Sequence, residues 1–186
     1  MALTIDELKT LIQNDEHRQL ELKKTTSELK DGMHNACAFL NTKGGWLFFG
    51  IIPTSLKILG QQVIDGTQRE IAQALSYMEP QVDVRVEYID VPDRPDHKEI
   101  AMHFDGWAWG MVPYTYHGRP YYKVESTTKE MLRDMYEERL RRSEPDLFAW
   151  ERRPSEFTDI SSQDEKLIRG VVRLGVERGR LSNNRY

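Results

Sequence analysis

The chain has 186 residues, of which 39% are hydrophobic and 30% are charged, a balance typical of a folded globular protein. Its 26 Lys and Arg residues against 30 Asp and Glu residues leave a net charge of -4, which excludes a strongly basic nucleic-acid binder and restricts any phosphate-binding surface to a local patch. Cys37 is the only cysteine and no apolar run reaches the length of a membrane span, so a disulfide framework is excluded and a cytoplasmic location without a membrane segment is predicted.

Helix starts are indicated by capping boxes, in which Ser or Thr is followed three residues later by Glu. Such boxes occur at Thr4 with Glu7, Thr67 with Glu70, Thr127 with Glu130 and Ser162 with Glu165. With the spacing of apolar residues and the position of Gly and Pro, they predict helices over about 4–14, 67–79, 128–142 and 163–178.

The middle of the first half combines a helix, a glycine pair and an apolar strand. Apolar residues at helical spacing predict a helix from Leu29 to Leu40, which Gly44 and Gly45 should stop. The segment Trp46–Ile52 that follows is apolar on both faces, as in a strand that is covered from both sides. We therefore predict that this strand lies at the centre of a sheet.

Other strands are predicted from alternation of apolar and polar residues. They are Leu20–Lys24, Val82–Tyr88, Lys98–Phe104, and a pair formed by Tyr114–Tyr116 and Pro120–Val124 around the turn His117-Gly118. Helices and mainly sequential strands over about 140 residues predict an α+β domain.

Composition changes at Arg142, where turn-forming and charged residues replace the periodic pattern. The predicted organisation is a domain over residues 1–142, a linker or surface extension over 143–162, and a C-terminal helical extension over 163–186. This last helix is expected to lead into a further domain of a longer protein.

Two glutamates lie just before and on the first predicted strand. Glu16 and Glu21 could together hold a divalent cation for phosphodiester hydrolysis. In the alternative interpretation they are solvated charges paired with Arg18 and Lys23. The local sequence leaves both interpretations open.

Basic residues near the same blocks are the candidates for phosphate contacts. They are Arg18, Lys23, Lys24 and Lys43. The backbone N–H groups of Gly44 and Gly45 could also approach a phosphate, although glycine there is equally explained by a positive φ. A set of aromatic residues could stack unpaired bases or only pack in half-buried strands: Trp107, Trp109, Tyr114, Tyr116, Tyr121 and Tyr122.

The segments Glu16–Lys23 and Ala38–Ile51, in this order, resemble the Schlafen-type divergent AlbA domain. The resemblance implies a mixed sheet flanked by helices and a role in nucleic-acid binding. Members of the family that cut RNA use glutamates at the positions of Glu16 and Glu21, and an aspartate directly after the glycine of the central strand. Here that glycine, Gly50, is followed by Ile51-Ile52-Pro53, so the resemblance implies a degenerate site, no catalysis and no bound metal.

A later hairpin is also similar to the family. It contains Arg119 and Lys123, which the resemblance places at a nucleic-acid interface, and it continues into Ser126-Thr127-Thr128. Bacterial relatives are described as transcriptional regulators or RecG-related proteins. Many continue into a GHKL-type ATPase region, and the segment from Asp164 to Leu181 looks similar to the lead into it.

Three functions are therefore considered. The leading hypothesis is a non-catalytic module of a bacterial transcriptional regulator that binds DNA or RNA weakly, with little dependence on sequence and without a cofactor. The second is a metal-dependent ribonuclease. The third is a protein-interaction module, such as a homodimerisation domain, which the net negative charge favours.

Overall fold

A computed structural model of the chain describes residues 3–14, 19–108, 110–143 and 165–179. The chain divides into two compact units, Met1–Pro145 and Asp146–Tyr186. The helices are α1 Ile5–Asn14, α2 Leu29–Leu40, α3 Asp65–Ser76, α4 Arg133–Ser143 and, in the second unit, α5 Glu165–Glu177. The strands are β1 Leu20–Lys23, β2 Gly44–Phe49, β3 Ile51–Ile52, β4 Lys57–Ile58, β5 Met78–Glu79, β6 Val86–Val91, β7 Arg94–Asp105, β8 Thr115–Tyr116, β9 Tyr121–Val124 and β10 Thr127–Glu130.

The main sheet is mixed and has the strand order β1-β2-β7-β6. Strand β2 runs parallel to β1 and antiparallel to β7, so it is an interior strand, as its two apolar faces predict. Phe48 and Phe49, which point to opposite faces, are both fully buried. The α+β fold class and the central position of this strand are therefore confirmed.

Hydrophobic clusters cover the two faces of the sheet. On one face, Phe49 packs with residues of α2 and α3, including Met33 and Ile71. On the other face, Phe48 packs with Leu8 and Ile12 of α1. The α2 cluster is the larger of the two and makes this helix the centre of the fold.

The first helix begins as its sequence predicts. The Glu7 N–H group donates to the Thr4 hydroxyl at 3.3 Å, and the Thr4 N–H group donates to the Glu7 carboxylate at 2.8 Å. This reciprocal pair is a capping box, and it satisfies backbone donors that the first turn leaves without helical partners.

The capping box predicted at Thr127 and Glu130 is wrong. Residues 127–130 form β10, which pairs antiparallel with β9, and α4 begins only at Arg133. The backbone groups that a helix would use are engaged by the neighbouring strand, and Glu125 makes the tight connection with a φ of 56°. Pairing with a neighbouring strand here overrides a local helix signal.

The role of the glycine pair and some element boundaries also differ from the prediction. Helix α2 ends at Leu40, and Gly44–Gly45 open β2 instead of stopping the helix. Helix α3 begins at Asp65, so the Thr67 hydroxyl sits in the first turn and accepts from the Ile64 N–H group at 3.4 Å. Strand β6 begins at Val86, because the segment before it packs half-buried against the core without a ladder partner.

Some predictions fall outside the described residues. These are the capping position Ser162, residues 144–162 of the proposed extension, and the segment after residue 179. Helix α5 begins two residues after the start that was predicted for the last helix. Within the described residues, no helix combines the length and apolarity needed to cross a bilayer.

Candidate nucleic-acid interface

A polar cluster lies where β1, α2 and the β9–β10 hairpin meet. Alternation along β1 places Glu21 and Lys23 on the face of the sheet that α2 covers, because their register partners Leu47 and Phe49 belong to the α2 core. The hairpin brings Lys123 to the same place from a distant part of the sequence.

The carboxylate of Glu21 lies between two ammonium groups. Its Oε1 atom is 2.8 Å from Lys23 Nζ, and its Oε2 atom is 3.2 Å from Lys123 Nζ. The side chains of Glu21, Lys23 and Lys123 are 19%, 11% and 5% exposed. These ion pairs are therefore shielded from solvent and are little affected by salt.

Each of the two lysines has further partners. Lys23 also forms an ion pair with Asp31 of α2. Although burial lowers the pKa of Lys23, hydrogen bonds with Asp31 and Glu21 outweigh it and hold that pKa above its ordinary value. Lys23 therefore stays charged at any physiological pH.

The ammonium group of Lys123 is fully satisfied by three acceptors. Besides Glu21, it donates to Asn35 Oδ1 at 2.7 Å and to the Ser126 carbonyl at 3.4 Å. It also lies 5.1 Å from the centre of the Phe39 ring. An ammonium group has three donors, so no donor remains for an external phosphate in this arrangement.

The described members of the basic set predicted for phosphate contact do not form one patch. Lys23 and Lys123 are held in the cluster, whereas Lys24 and Lys43 are exposed. Because Lys43 precedes β2 and Lys24 follows β1, and these strands are parallel, the two exposed lysines lie at opposite ends of the strand pair, about 20 Å apart. Arg119 is exposed at the β8–β9 turn, 3.5 Å from Glu130.

A family model of the Schlafen, AlbA_2 domain matches residues 16–132. The chain belongs to the Schlafen AlbA_2 family. A comparison with curated proteins finds no match. Among solved structures, the chain is similar to the DIP2311 protein from Corynebacterium diphtheriae, with 16% identity and a TM-score of 0.45. That similarity covers 74% of this chain and 28% of that protein, so the chain spans less than a third of its length.

In this Schlafen AlbA_2 domain, Glu21 is the acidic candidate that the structure describes, and it does not converge with other described metal ligands. Glu21 is engaged by two lysines, and Glu16 and Arg18 lie outside the described residues. After Gly50, the Ile51 side chain is fully buried in the α1 cluster. Among the described residues, no group of three or more His, Cys, Asp or Glu side chains could hold a metal ion.

The glycine pair of the domain is explained by close packing. Gly44 has a φ of 78°, and a Cβ atom there would lie 2.6 Å from the Phe104 carbonyl oxygen. A Cβ atom at Gly45 would lie 2.5 Å from the Gln19 carbonyl oxygen. Larger residues are therefore excluded without any ligand, and a phosphate contact by this pair stays a prediction.

Sequence analysis missed two asparagines that organise the site. The side-chain oxygen of Asn35 accepts hydrogen bonds from the Lys123 ammonium and the Thr128 hydroxyl. Its amide nitrogen donates to the Asp31 carbonyl at 3.0 Å. Asn41, fully buried after α2, exchanges hydrogen bonds with the Tyr114 backbone and donates to the Tyr121 carbonyl, all at 2.8 Å. The available signal was an amide on or beside the apolar face of α2, where a polar group needs buried partners.

Proposed function

We propose that this Schlafen AlbA_2 domain is a non-catalytic nucleic-acid-binding module of a bacterial transcriptional regulator. Family membership supports a nucleic-acid-related role. The proposal that the module is non-catalytic is supported by one observation: both oxygens of the Glu21 carboxylate form ion pairs, one with Lys23 and one with Lys123.

Cation binding at Glu21 would require the two lysines to leave. Mg²⁺ is bound through carboxylate oxygens in near-octahedral geometry, usually together with waters and substrate phosphates. Both Glu21 oxygens already accept an ammonium, and removing one partner of a buried ion pair costs about 3–5 kcal/mol. The site therefore favours an internal ion pair over a hydrolytic metal centre.

Binding to nucleic acid would be weak and mainly electrostatic. The exposed cations Lys24, Lys43 and Arg119 are spread over the surface and a net charge of -4 opposes them, so only a few phosphates would be neutralised at once. Each phosphate neutralised adds about 0.9 to the slope of log affinity against log salt for duplex DNA. A slope of only a few units is expected.

The test is a fluorescence-anisotropy titration of a labelled oligonucleotide at several salt concentrations, followed by incubation of the same protein with labelled RNA and Mn²⁺. Lys24→Gln should lower the salt slope by about 0.9. Lys9→Gln is the matched control, since Lys9 is also exposed but lies on α1 and is not among the cations proposed to contact phosphates.

The outcomes separate the three functions. Salt-dependent binding without cleavage supports the proposal. Cleavage that disappears in Glu21→Ala supports the ribonuclease alternative instead. Absence of binding to DNA and RNA at low salt rejects nucleic-acid binding and leaves the protein-interaction module.

A further inference from the structure

Five aromatic rings form a continuous series beside the N-terminal half of α2. Tyr77 stacks on His117 with centroids 4.1 Å apart, and His117 contacts Tyr116 at 4.5 Å. Tyr116 is 5.6 Å from His34, which in turn stacks on Tyr121 at 4.5 Å. We call these residues, Tyr77, His117, Tyr116, His34 and Tyr121, the ring series.

The backbone holds the ring series in place. Strand β5 pairs with β8 through Met78 and Tyr116, and the His117 N–H group donates to the Tyr77 carbonyl at 3.2 Å. His117 and Gly118 have φ values of 50° and 72°, the two positive values of a type I′ turn. The rings are therefore fixed by strand pairing and a tight turn before any ligand arrives.

The ring series has a buried middle and accessible ends. Tyr116 is 4% exposed, whereas Tyr77 is 40% exposed and His117 is exposed at the turn. His34 and Tyr121 are half-buried. A buried tyrosine thus supports rings that solvent can reach, which differs from the purely packing role that is the alternative for aromatic residues in strands.

Cations surround the middle of the ring series. Burial lowers the pKa of His34, and the electrostatic influence of Lys30 and Arg119 adds to this effect. Asp31 opposes this effect, but its carboxylate is paired with Lys23. Arg119 has an acidic partner, Glu130, at 3.5 Å. Lys30 lies one helical turn before His34 on α2, and Arg119 directly follows the His117-Gly118 turn. Both are exposed, so two basic side chains lie beside the rings.

We propose that the ring series binds the unpaired bases of single-stranded nucleic acid, with Lys30 and Arg119 at its phosphates. This inference rests on the proposed function and adds the class of ligand and the surface that takes it. Exposed aromatic rings stack any base, because every base has a π-face, and neighbouring cations follow the backbone. A duplex keeps its bases stacked inside and would meet only the cations, so single strands should bind more tightly.

Two substitutions remove the accessible rings without removing a Lys or Arg. His117→Asn creates Asn-Gly, the favoured pair for a type I′ turn, so the hairpin is retained while the ring is lost. Tyr77→Ala removes the second ring, and Tyr77→Phe keeps it. Ile64→Ala is the matched control, because Ile64 is 66% exposed and lies at the opposite end of α3, about 20 Å from Tyr77.

The experiment titrates each variant with labelled oligothymidine and with a blunt duplex of equal length. His117→Asn and Tyr77→Ala should each weaken single-strand binding by about tenfold, with an unchanged salt slope and unchanged duplex binding. Tyr77→Phe and Ile64→Ala should bind as the unaltered protein does. Circular dichroism of every variant checks that the fold is retained.

If single strand and duplex bind equally and both ring variants are unaffected, the ring series does not bind unpaired bases, while the proposed function is retained. Failure of the unaltered protein to bind either oligonucleotide at low salt would reject the proposed function itself, and the ring series with it. The two failures are therefore distinguishable in one data set.

Discussion

The ammonium group of Lys123 lies 3.2 Å from the carboxylate of Glu21, although 102 positions separate the two residues in the sequence. The contact joins the first strand of the main sheet to the β9–β10 hairpin. Lys23 holds the other oxygen of the same carboxylate at 2.8 Å. The centre of the polar cluster is thus an ion triad with two positive groups and one negative group, supported by Asp31 and Asn35.

Removing the one carboxylate of this triad should destabilise the folded domain. Glu21→Ala leaves two shielded ammonium groups without their shared carboxylate, and we expect the free energy of unfolding to fall by about 3–5 kcal/mol. Urea unfolding measures the change. Glu137→Ala is the control, since its exposed pair with Arg133 on α4 should contribute little. Equal effects of the two substitutions would contradict the assignment.

The amide of Asn41 is expected to be as important as a core side chain. It makes three hydrogen bonds of 2.8 Å to the backbone of Tyr114 and Tyr121, and it is fully buried. Asn41→Ala leaves those backbone groups unpaired and should lower the free energy of unfolding by about 3 kcal/mol. Gln68→Ala, on the exposed face of α3, should have almost no effect in the same denaturation assay.

Glu99 should make the folded domain less stable as pH rises. It is fully buried on β7, and among the described residues neither of its oxygens has a hydrogen-bond partner. Burial raises the pKa of Glu99 from 4.5 to about 9. Between these values the folded state keeps a proton that the unfolded state has released, so the free energy of unfolding falls as pH rises, by up to about 1.4 kcal/mol per unit.

The substitution Glu99→Gln tests this linkage. Urea unfolding at about pH 5 and about pH 8.5 should show a much smaller pH dependence in the variant, which should be the more stable protein at the higher pH. Similar slopes for the variant and the unaltered protein would mean that Glu99 is ionised in the folded state.

Cys37 should be unreactive while the domain is folded. Burial raises the pKa of its thiol to about 12, so at neutral to mildly alkaline pH the thiolate is a very small fraction of the population. A disulfide reagent should therefore modify the native protein slowly and the urea-unfolded protein rapidly. Cys37→Ala gives the background rate. Rapid modification under native conditions would show that the α2 core opens frequently.

Local patterns in the sequence were sufficient for much of the fold. The apolar spacing of Leu29–Leu40 predicts α2, which is confirmed. The two apolar faces of Trp46–Ile52 predict an interior strand, which is confirmed up to Phe49, whereas Ile51–Ile52 form a separate strand that pairs with β4. The Thr4–Glu7 capping box likewise needs only residues three positions apart. Such features depend on helical or strand periodicity, which any correct fold must satisfy.

The candidate site could be read only in part. The residues Glu21, Lys23 and Lys123 were recognised as candidates, but the sequence offered Lys123 only as a cation for phosphate, and Lys23 either as such a cation or as a partner of the glutamates. Charged side chains are almost always exposed unless a partner compensates their burial, and the partner of Lys123 lies 102 positions away. The ring series could not be predicted from the sequence either, because Tyr77, His34 and His117 come from three separate elements that only the fold brings together.

By itself, the sequence determined the composition class, the positions of α1 and α2, the central strand, and the blocks that place the chain in the Schlafen AlbA_2 family. Only the tertiary structure decided that Thr127–Glu130 is a strand, that Glu21 is neutralised by two lysines, and that five rings meet beside α2. Periodicity is a property of neighbouring residues, whereas burial, ion pairing and ring contact depend on which distant segments the folded chain brings together.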